Sequence, residues 1–539
     1  MGCAFLVWSA DASDFAERPV KAAAAQATWR ERGKWAVLGL LPSALLVAGT
    51  TDLTTDVASA PLLWVIPLAL YLSAFILAFS PRAWIPARVT TLLLPALAGI
   101  ALVVSWSAGD WRILAVAVLS TLWLGAYVSC RALYDTRPDA ARLTDFYLWM
   151  SLGGVVGGAL AALAAPMLFD SVLEWPIAVT LTLFSLPAGK MPSRPLLVIF
   201  AACVAITLLA AMLAGSPLAG RFVAAGLVSG LAAIALGRTS RTLMAVACIA
   251  IIVMGAAVQR ASVVFADRSF YGMVRVLDTE DGQWRRFAHG TTMHGVQSRD
   301  PARALTPTGY YGPLTPIGSA MRALNANGRV HNVAILGLGV GTMACWKQPA
   351  QSWTFYEIDP LVVQVARDPR LFTFLSRCAP TSPVIVGDAR LELAKQKPGA
   401  YDLILADAFS SDAVPTHLIT REAMQLYLNS VSENGVILVH VSNRNLALAD
   451  VAVRAAQGAG AFVVQRIYLP ARYDYANFAS QVVAIARHRE DLAPLMADPA
   501  WTVSEPSAGR MWTDDYSNIL EPMVERLQHP LRTPQASLQ

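Results

Sequence analysis

Long apolar stretches fill the first half of the chain, and they constrain the fold more than any other feature. A helix needs ~20 apolar residues to cross a hydrocarbon core of ~30 Å, and most of these stretches reach that length. They also lack the charged faces of a large soluble helical core. We therefore predict a multi-pass α-helical membrane domain between Trp35 and Gln259. Its apolar stretches are 36–52, 60–79, 89–106, 113–130, 146–166, 174–188, 195–214, 221–237 and 241–258.

The number of membrane spans depends on the short stretch 174–188, which contains Pro176. We therefore predict eight or nine helices. A mean hydropathy of +0.48 over 539 residues agrees with a membrane protein of several domains. The net charge of +5 comes with no run of Lys or Arg, so no nucleic-acid partner is expected. The predicted parts are an N-terminal cytoplasmic segment (1–35), a transmembrane domain (36–259), a small β-hairpin domain (260–325), a nucleoside-binding domain (326–495) and a C-terminal segment (496–539).

Basic residues mark alternate loops of the apolar half. The positive-inside rule then places the N-terminus in the cytoplasm. Nine spans would leave the second half of the chain outside, whereas eight spans would leave it inside, with 174–188 re-entrant or lying in the interface. We expect the second half of the chain to lie on the cytoplasmic side. The basic residues are Arg30, Arg32, Lys34, Arg82, Arg88, Arg131, Arg137, Arg142, Lys190, Arg194, Arg238 and Arg241.

Glycines and cysteines of the chain allow two further predictions. Gly153, Gly154, Gly157 and Gly158 have small-xxx-small spacing, which predicts a helix face that packs closely against another helix. The six cysteines are scattered, with no CxxC pair and no Cys/His cluster. This pattern argues against a zinc site or a disulfide framework and predicts small buried hydrophobic residues instead.

The second half of the chain has the pattern of a soluble α/β protein. Residues 269–297 alternate apolar and polar side chains around a Glu-Asp-Gly turn, which predicts hairpins in a small β domain. After Val330, short apolar strands alternate with helical patterns, so we predict a doubly wound, mostly parallel sheet. The predicted strands are 332–337, 353–358, 383–387, 401–407, 435–441, 462–468 and 481–487.

The first of these strands ends in a glycine turn, VAILGLGVGTMACW, and a helix is expected to follow it. The G-x-G-x-G spacing differs from the dinucleotide fingerprint, and no Walker lysine is present. Such glycines let a ligand approach bare backbone at a helix N-terminus. Glu357, Asp388 and Asp407 end the next three strands, where carboxylates can take ribose hydroxyls and an adenine amino group. We interpret this edge as a crevice for a nucleoside without phosphate.

Together these motifs resemble the spermidine synthase (aminopropyltransferase) family, which has an S-adenosylmethionine-type Rossmann fold. The resemblance covers about residues 265–490, and the whole chain looks like a bacterial group that fuses a multi-pass membrane region to such a domain. HGVQ is similar to the family's Asp-Gly-x-x-Gln turn, and GYYGPL to its Tyr-His-Glu segment. The family's Gly-Gly-Gly-Asp-Gly loop corresponds to GLGVG. Two further family motifs match YEID and GDAR, and the family's Asp-Ser-Ser-Asp-Pro loop is paralleled by DAFSSDAVPTHLIT.

The resemblance implies roles for individual residues. Asp407 would be the catalytic carboxylate that holds the incoming ammonium, takes its proton and steadies the sulfonium, an effect typically worth about 10²–10⁴ in rate. Tyr311 and Asp412 would bind the substrate. The donor would be S-adenosylmethionine or its decarboxylated form, with no metal. The residues implied to bind it are Gln297, Gly337, Gly339, Gly341, Glu357, Asp388 and Ala389.

Several positions depart from the family pattern. Val340 replaces the acidic residue of the glycine loop, Ser410 replaces the second loop aspartate, and His294 replaces the aspartate of the hairpin turn. Gly312 or a neighbour takes the place of the usual acid after the tyrosine. Because charges that would hold a cationic diamine are missing, we predict that putrescine is a poor acceptor.

Three functions remain open from the sequence. The first is a membrane-anchored transferase that moves or eliminates the aminopropyl or aminocarboxypropyl group and releases methylthioadenosine. The second is a methyltransferase of a membrane substrate, and the third is a transporter or sensor that binds a nucleoside without turnover. The expected partners are a small amine or an intramolecular nucleophile and the lipid bilayer, here the bacterial inner membrane. A homodimer is left open.

Overall fold

The computed structural model describes residues 27–56, 61–106, 111–216, 219–290, 292–408, 415–443, 446–505 and 508–529. Within these ranges, seven helices are long and apolar enough to cross a membrane by length and composition, and Trp64–Ala78 is a shorter apolar helix. The helices of the first half are α1 Trp29–Asp56, α2 Pro61–Ala78, α3 Ala87–Trp106, α4 Trp111–Tyr134, α5 Leu143–Ala159, α6 Ala165–Leu168, α7 Glu174–Thr182, α8 Arg194–Met212, α9 Ala219–Gly237 and α10 Arg241–Arg260.

The predicted glycine face of α5 packs directly on the backbone of α1. A Cβ atom on Gly153 would collide with the carbonyl of Ala36, and one on Gly157 would collide with that of Leu40. The two helices can therefore approach closely only because these positions lack side chains, which confirms the packing prediction. The π-helical turn Leu160–Ala164 then joins α5 to α6.

The doubtful stretch 174–188 lies inside the helix bundle. Helix α7 continues into a 3₁₀ turn, Leu183–Ser185, and most of its side chains are buried. Trp175 is fully buried and packs on Gly49 of α1, while Thr182 lies against Gly125 of α4. A helix this short is acceptable at such a depth because protein surrounds it instead of lipid.

A four-stranded antiparallel sheet follows the helix bundle, as predicted for the hairpin segment. Its strands pair in chain order, β1 with β2, β2 with β3 and β3 with β4. Tight hairpins require this neighbour pairing. The strands are β1 Val263–Ser269, β2 Gly272–Asp278, β3 Trp284–His289 and β4 Thr292–Ser298.

The main sheet has eight strands in the order β12-β10-β11-β9-β8-β5-β6-β7. The five strands from β9 to β7 are parallel, and β11, β10 and β12 join antiparallel. This arrangement confirms the predicted doubly wound, mostly parallel sheet. The strands are β5 Asn332–Leu336, β6 Ser352–Glu357, β7 Val384–Val386, β8 Tyr401–Ala406, β9 Val431–His440, β10 Phe462–Tyr468, β11 Ser480–Ala486 and β12 Thr502–Val503, so the sheet continues past residue 495.

Helices cover both faces of this sheet and bury two apolar layers against it. Strands buried on both faces read as continuous apolar runs, which is why their positions could be predicted. The helices of this part are α11 Pro316–Asn327, α12 Pro360–Arg367, α13 Phe374–Cys378, α14 Ala389–Leu393, α15 Arg421–Ser430, α16 Leu448–Gly458, α17 Ala493–Met496 and α18 Leu520–Gln528.

Two expectations about the segment after the glycine turn were wrong. A 3₁₀ helix of five residues, Thr342–Trp346, stands where an α-helix was expected. Cys345 of this segment forms a disulfide with Cys378 at the end of α13, with Cα atoms 4.9 Å apart. The bond could not be foreseen because 33 residues separate the two cysteines. Cys130 and Cys248 are buried and unbonded, as predicted, and Cys203 is half-buried.

Candidate active site

The glycine turn is shaped by backbone that only glycine adopts easily. Gly337, Gly339 and Gly341 have φ values of +101°, +52° and +79°. Gly337 also lies so close to the carbonyl of Asp407 that a Cβ atom there would collide with it. The amide of Asp407 in turn donates to the carbonyl of Leu336 at 2.8 Å. The turn after β5 and the residue after β8 therefore lie side by side at the carboxyl edge of the sheet, where sheets of this kind bind ligands in a crevice.

Glu357 lies at the C-terminal end of β6, beneath this turn. Its carboxylate accepts hydrogen bonds from the amides of Leu338 and Asp359, both at 3.0 Å. Burial raises the pKa of Glu357, although the hydrogen bonds to its charged form oppose this shift. Each oxygen retains a second acceptor site, so the predicted ribose contact remains chemically available.

Asp407 is the centre of a buried polar cluster at this edge. Its side chain is 7% exposed. One carboxylate oxygen lies 2.7 Å from Nδ1 of His440, and the other accepts a hydrogen bond from the Tyr311 hydroxyl at 2.6 Å. The structure thus brings together two residues that the sequence proposed, Asp407 and Tyr311, and adds His440.

The cluster keeps Asp407 ionised despite its burial. Burial alone would raise its pKa, but the charge of His440 and the hydrogen bonds from His440 and Tyr311 outweigh it, so the pKa of Asp407 is lowered. The pKa of Tyr311 is raised well above its usual value by burial and by the nearby Asp407 charge. Tyr311 therefore stays protonated and donates, and the carboxylate remains a charged acceptor with free lone pairs.

His440 continues this network to Ser442. The Nε2 atom of His440 lies 2.6 Å from the Ser442 hydroxyl, which accepts from the amide of Gln481 at 2.7 Å. Because an ionised carboxylate only accepts, His440 must donate to Asp407 through Nδ1. The hydrogen bond between Nε2 and the Ser442 hydroxyl then holds the imidazole from its other side. The sequence signal that was missed is a histidine at the end of the buried run of β9.

Two further histidines lie beside this cluster. His294 is half-buried, and desolvation lowers its pKa to about 4, so it is neutral at pH 7. Its ring lies 6.1 Å from that of His289, whose pKa is also lowered by burial. The Nε2 atoms of both rings have no hydrogen-bond partner among the described residues. His294 stands where the related family has an aspartate, so a neutral group replaces a charge.

Val340 replaces the other expected acid, and its surroundings explain why no charge is needed there. Its side chain is 1% exposed and belongs to an apolar cluster with Val274 and Phe287 of the small sheet. Gly295 of β4 leaves the space that the valine fills. This position therefore joins the glycine turn to the small sheet through apolar contact.

Asp388 lies at the far end of the crevice and caps a helix. One of its oxygens accepts from the amide of Leu391 at 3.0 Å, and the other lies 3.0 Å from Nε2 of His417. Its neighbour Ala389 is buried as the first residue of α14. Strands ~4.8 Å apart place Asp388 and Asp407 roughly 14 Å apart across four strands, a span suited to an elongated ligand.

Gln297 of β4 connects this strand to two other segments through hydrogen bonds. Its amide nitrogen donates to the carbonyl of Ala304 at 2.9 Å and to the hydroxyl of Thr373 at 2.8 Å, and its oxygen accepts from the amide of Thr373 at 3.1 Å. Contact with a nucleoside stays a prediction for this residue. Asp412 and Ser410 lie outside the described residues. Among the described residues, no group of three or more His, Cys, Asp or Glu could hold a metal ion.

The soluble part of the chain is similar to a known enzyme. A polyamine aminopropyltransferase of Vibrio vulnificus is 27% identical over 188 residues, which cover 34% of this chain and 60% of that relative. The chain therefore matches only about three fifths of the relative's length. No family model matches the chain.

Solved structures of low identity also align with this part. A probable spermidine synthase from Corynebacterium glutamicum aligns at 14% identity with a TM-score of 0.36, covering 47% of this chain and 97% of that one. The spermidine synthase of Thermotoga maritima aligns at 14% identity with a TM-score of 0.33, covering 49% and 84%. Part of this chain is therefore similar in sequence to a polyamine aminopropyltransferase, in line with the resemblance seen in its motifs.

Proposed function

We propose that the chain is a membrane-anchored, spermidine synthase-like transferase. Its soluble domain binds S-adenosylmethionine or the decarboxylated form. It moves the aminopropyl or aminocarboxypropyl group to an amine, or eliminates that group, and releases methylthioadenosine. The observation that supports this proposal best is the ionised, buried Asp407 beside the glycine turn, in a domain similar to a polyamine aminopropyltransferase.

The geometry suits attack on a sulfonium carbon. The amine nitrogen forms a bond to the methylene carbon next to sulfur, the carbon–sulfur bond breaks, and sulfur keeps the electron pair as a neutral thioether. The amine must first lose a proton, and Asp407 has unused lone pairs to accept it. Tyr311 and His440 hold the carboxylate in place at 2.6 and 2.7 Å. The same negative charge also stabilises the sulfonium before attack.

The helical half supports the membrane anchor in this proposal. Seven of its described helices have the length and composition of membrane spans. Many of their large apolar side chains are exposed, including Val116, Val155, Leu163 and Val198, each at 66% or more. Exposed apolar surface on this scale needs lipid or another apolar partner.

Product analysis tests the proposal. The purified full chain is incubated with each donor and a mixture of small amines, and the nucleoside products are identified by mass spectrometry. Methylthioadenosine is the expected product. S-adenosylhomocysteine would instead indicate a methyltransferase, and the absence of turnover with retained binding would indicate a nucleoside sensor or transporter.

A further inference from the structure

We propose that the soluble domain lies on the side of the membrane opposite the basic loops, and therefore outside the cytoplasm. This inference rests on the membrane anchor proposed above. It replaces the eight-span, cytoplasmic arrangement expected from the sequence. Three observations carry it: the direction of each helix, the distribution of basic residues and the disulfide of the soluble domain.

One face of the bundle, here called the entry face, contains the start of α1. Arg32 at this start bonds Asp145 at the start of α5 at 3.0 Å, and the Trp35 indole donates to the carbonyl of Thr136, just after α4, at 3.1 Å. Arg131 near the end of α4 donates to carbonyls at the end of α2. Helices α1 and α5 therefore start at the entry face, and α2 and α4 end there.

The later helices follow the same alternation at the entry face. Arg241 at the start of α10 donates to the carbonyls of Phe184 and Leu186, just after α7, at 3.1 and 3.2 Å. Gly237 at the end of α9 packs between Leu243 of α10 and Phe200 near the start of α8. Helices α7 and α9 therefore end at the entry face, where α8 and α10 start.

The opposite face, here called the exit face, holds the other helix ends. Ser105 at the end of α3 donates to Asp52 near the end of α1 at 3.5 Å. Arg260 at the end of α10 bonds Asp170, just after α6, at 3.1 Å. The chain leaves the bundle at this face and enters β1, the first strand of the soluble part.

Helix α7 decides between eight and nine crossings. Together with the 3₁₀ turn that ends at Ser185, it has only about 18 Å of helical length, too little to span a bilayer alone. Its first residue, Glu174, nevertheless bonds Arg268 of β1 at 2.9 Å on the exit side. Its far end, Ser185, lies 2.9 Å from Ser129 of α4 on the entry side. The segment connects the two faces inside the bundle, so it is neither re-entrant nor interfacial, and the chain crosses nine times.

The distribution of basic residues indicates which face of the bundle is cytoplasmic. The entry-face ends and loops carry twelve Lys and Arg residues, those named in the sequence analysis, whereas the exit-face ends carry only Arg112, Arg221 and Arg260. Basic residues near membrane spans remain in the cytoplasm. The entry face is then cytoplasmic, and nine crossings place the soluble domain outside.

The distribution of cysteine states agrees with this direction. The one disulfide in the described part, Cys345–Cys378, lies in the soluble domain, beside the glycine turn. The free cysteines Cys130, Cys203 and Cys248 all lie in the helix bundle. Disulfides persist outside the cytoplasm and are rare within it. A domain outside would also need its adenosyl donor delivered across the bilayer, so a transport step must precede the transfer.

Cysteine labelling in spheroplasts tests the topology with the full chain. Glu280→Cys lies on an exposed turn of the small sheet, and Ala140→Cys lies on an exposed entry-face turn. Both are made in a chain whose cysteines outside the disulfide are replaced by alanine. With a maleimide that cannot cross the membrane, we expect Glu280→Cys to react in intact spheroplasts and Ala140→Cys only after lysis. The reverse pattern, or equal labelling of both, would overturn the proposal.

Two accompanying measurements keep this test separate from the proposed function. Alkylation before and after reduction should show Cys345 and Cys378 protected until reductant is added; free thiols in freshly trapped cells would contradict an outside location. Cell fractionation that recovers the chain in the soluble fraction, and not with the membranes, would also overturn the topology. Donor binding by the detergent-solubilised chain is measured independently, so loss of binding would count against the enzyme and leave the topology standing.

Discussion

Two aspartates at the same edge of the main sheet differ in what surrounds them. Asp407 has a side chain that is 7% exposed, caps none of the described helices and is held by His440 and Tyr311. Asp388 has a side chain that is 24% exposed, caps α14 and contacts His417. Helix capping explains the position of Asp388 without a ligand. No such capping role is seen for Asp407 among the described residues, so we expect its buried charge to serve the reaction.

From this contrast we expect the two ends of the crevice to have different roles. The Asp388 end can contribute affinity for adenine, because its carboxylate is still accessible. The Asp407 end can contribute turnover, because its charge is held in a buried setting that strengthens electrostatic interactions. Variants at the two positions should therefore separate binding from catalysis.

The largest expected effect is loss of turnover in Asp407→Asn. The amide keeps the size of the side chain but removes the charge and the basic site, so turnover should fall by 10²-fold or more while donor binding persists. Steady-state kinetics and calorimetry measure the two quantities. Glu433→Gln, an exposed acid at the other end of β9, is the matched control and should stay fully active. Full activity of Asp407→Asn would leave Asp412 as the better candidate.

A smaller effect is expected in the choice of acceptor. Val340 and His294 are neutral where the related family has acids, so a diamine would leave an ammonium unpaired in a partly desolvated crevice. Putrescine should therefore be used at least ten-fold less efficiently than by a soluble spermidine synthase. A side-by-side comparison of kcat/KM tests this, and equal efficiency would refute it.

At the other end of the crevice, Asp388→Ala should weaken donor binding about ten-fold. Loss of one hydrogen-bonding partner in a site typically costs about 1–3 kcal/mol. Calorimetry gives the affinity, and circular dichroism checks that the loss of the α14 cap has not unfolded the domain. His417→Ala removes the neighbouring imidazole but keeps the cap, so it serves as the control. Unchanged affinity in Asp388→Ala would remove this residue from the site.

The smallest effect concerns the pH dependence of turnover. His440 lowers the pKa of Asp407, whereas burial alone would raise it. In His440→Phe the acid limb of the pH–rate profile should therefore move to higher pH, with a loss below ten-fold at pH 7. Ser442→Ala leaves the His440–Asp407 bond in place and should keep the wild-type limb. An unshifted limb in His440→Phe would show that His440 does not tune this carboxylate.

The fold was largely predictable because its elements have simple periodicities. Apolar runs of fixed length indicated the helices, and runs bounded by glycines and acids indicated strands β5 to β11. The site was only partly predictable. Glu357 and Asp388 could be identified because they lie at the ends of such runs. His440 was missed because its contact with Asp407 requires β8 and β9 to be neighbours in the sheet, and the sequence does not show this pairing. The position of α7 inside the bundle could not be predicted for a similar reason: length alone does not reveal that other helices enclose it.

A paired measurement on Asp407→Asn and Asp388→Asn tests the division of labour most directly. Each full-length variant is incubated with saturating donor and acceptor, and bound donor and released methylthioadenosine are quantified in the same sample. Asp407→Asn should hold intact donor and release almost no product. Asp388→Asn should release product at near wild-type rate once saturated, but bind donor more weakly. The opposite pattern, turnover in Asp407→Asn and none in saturated Asp388→Asn, would contradict the account.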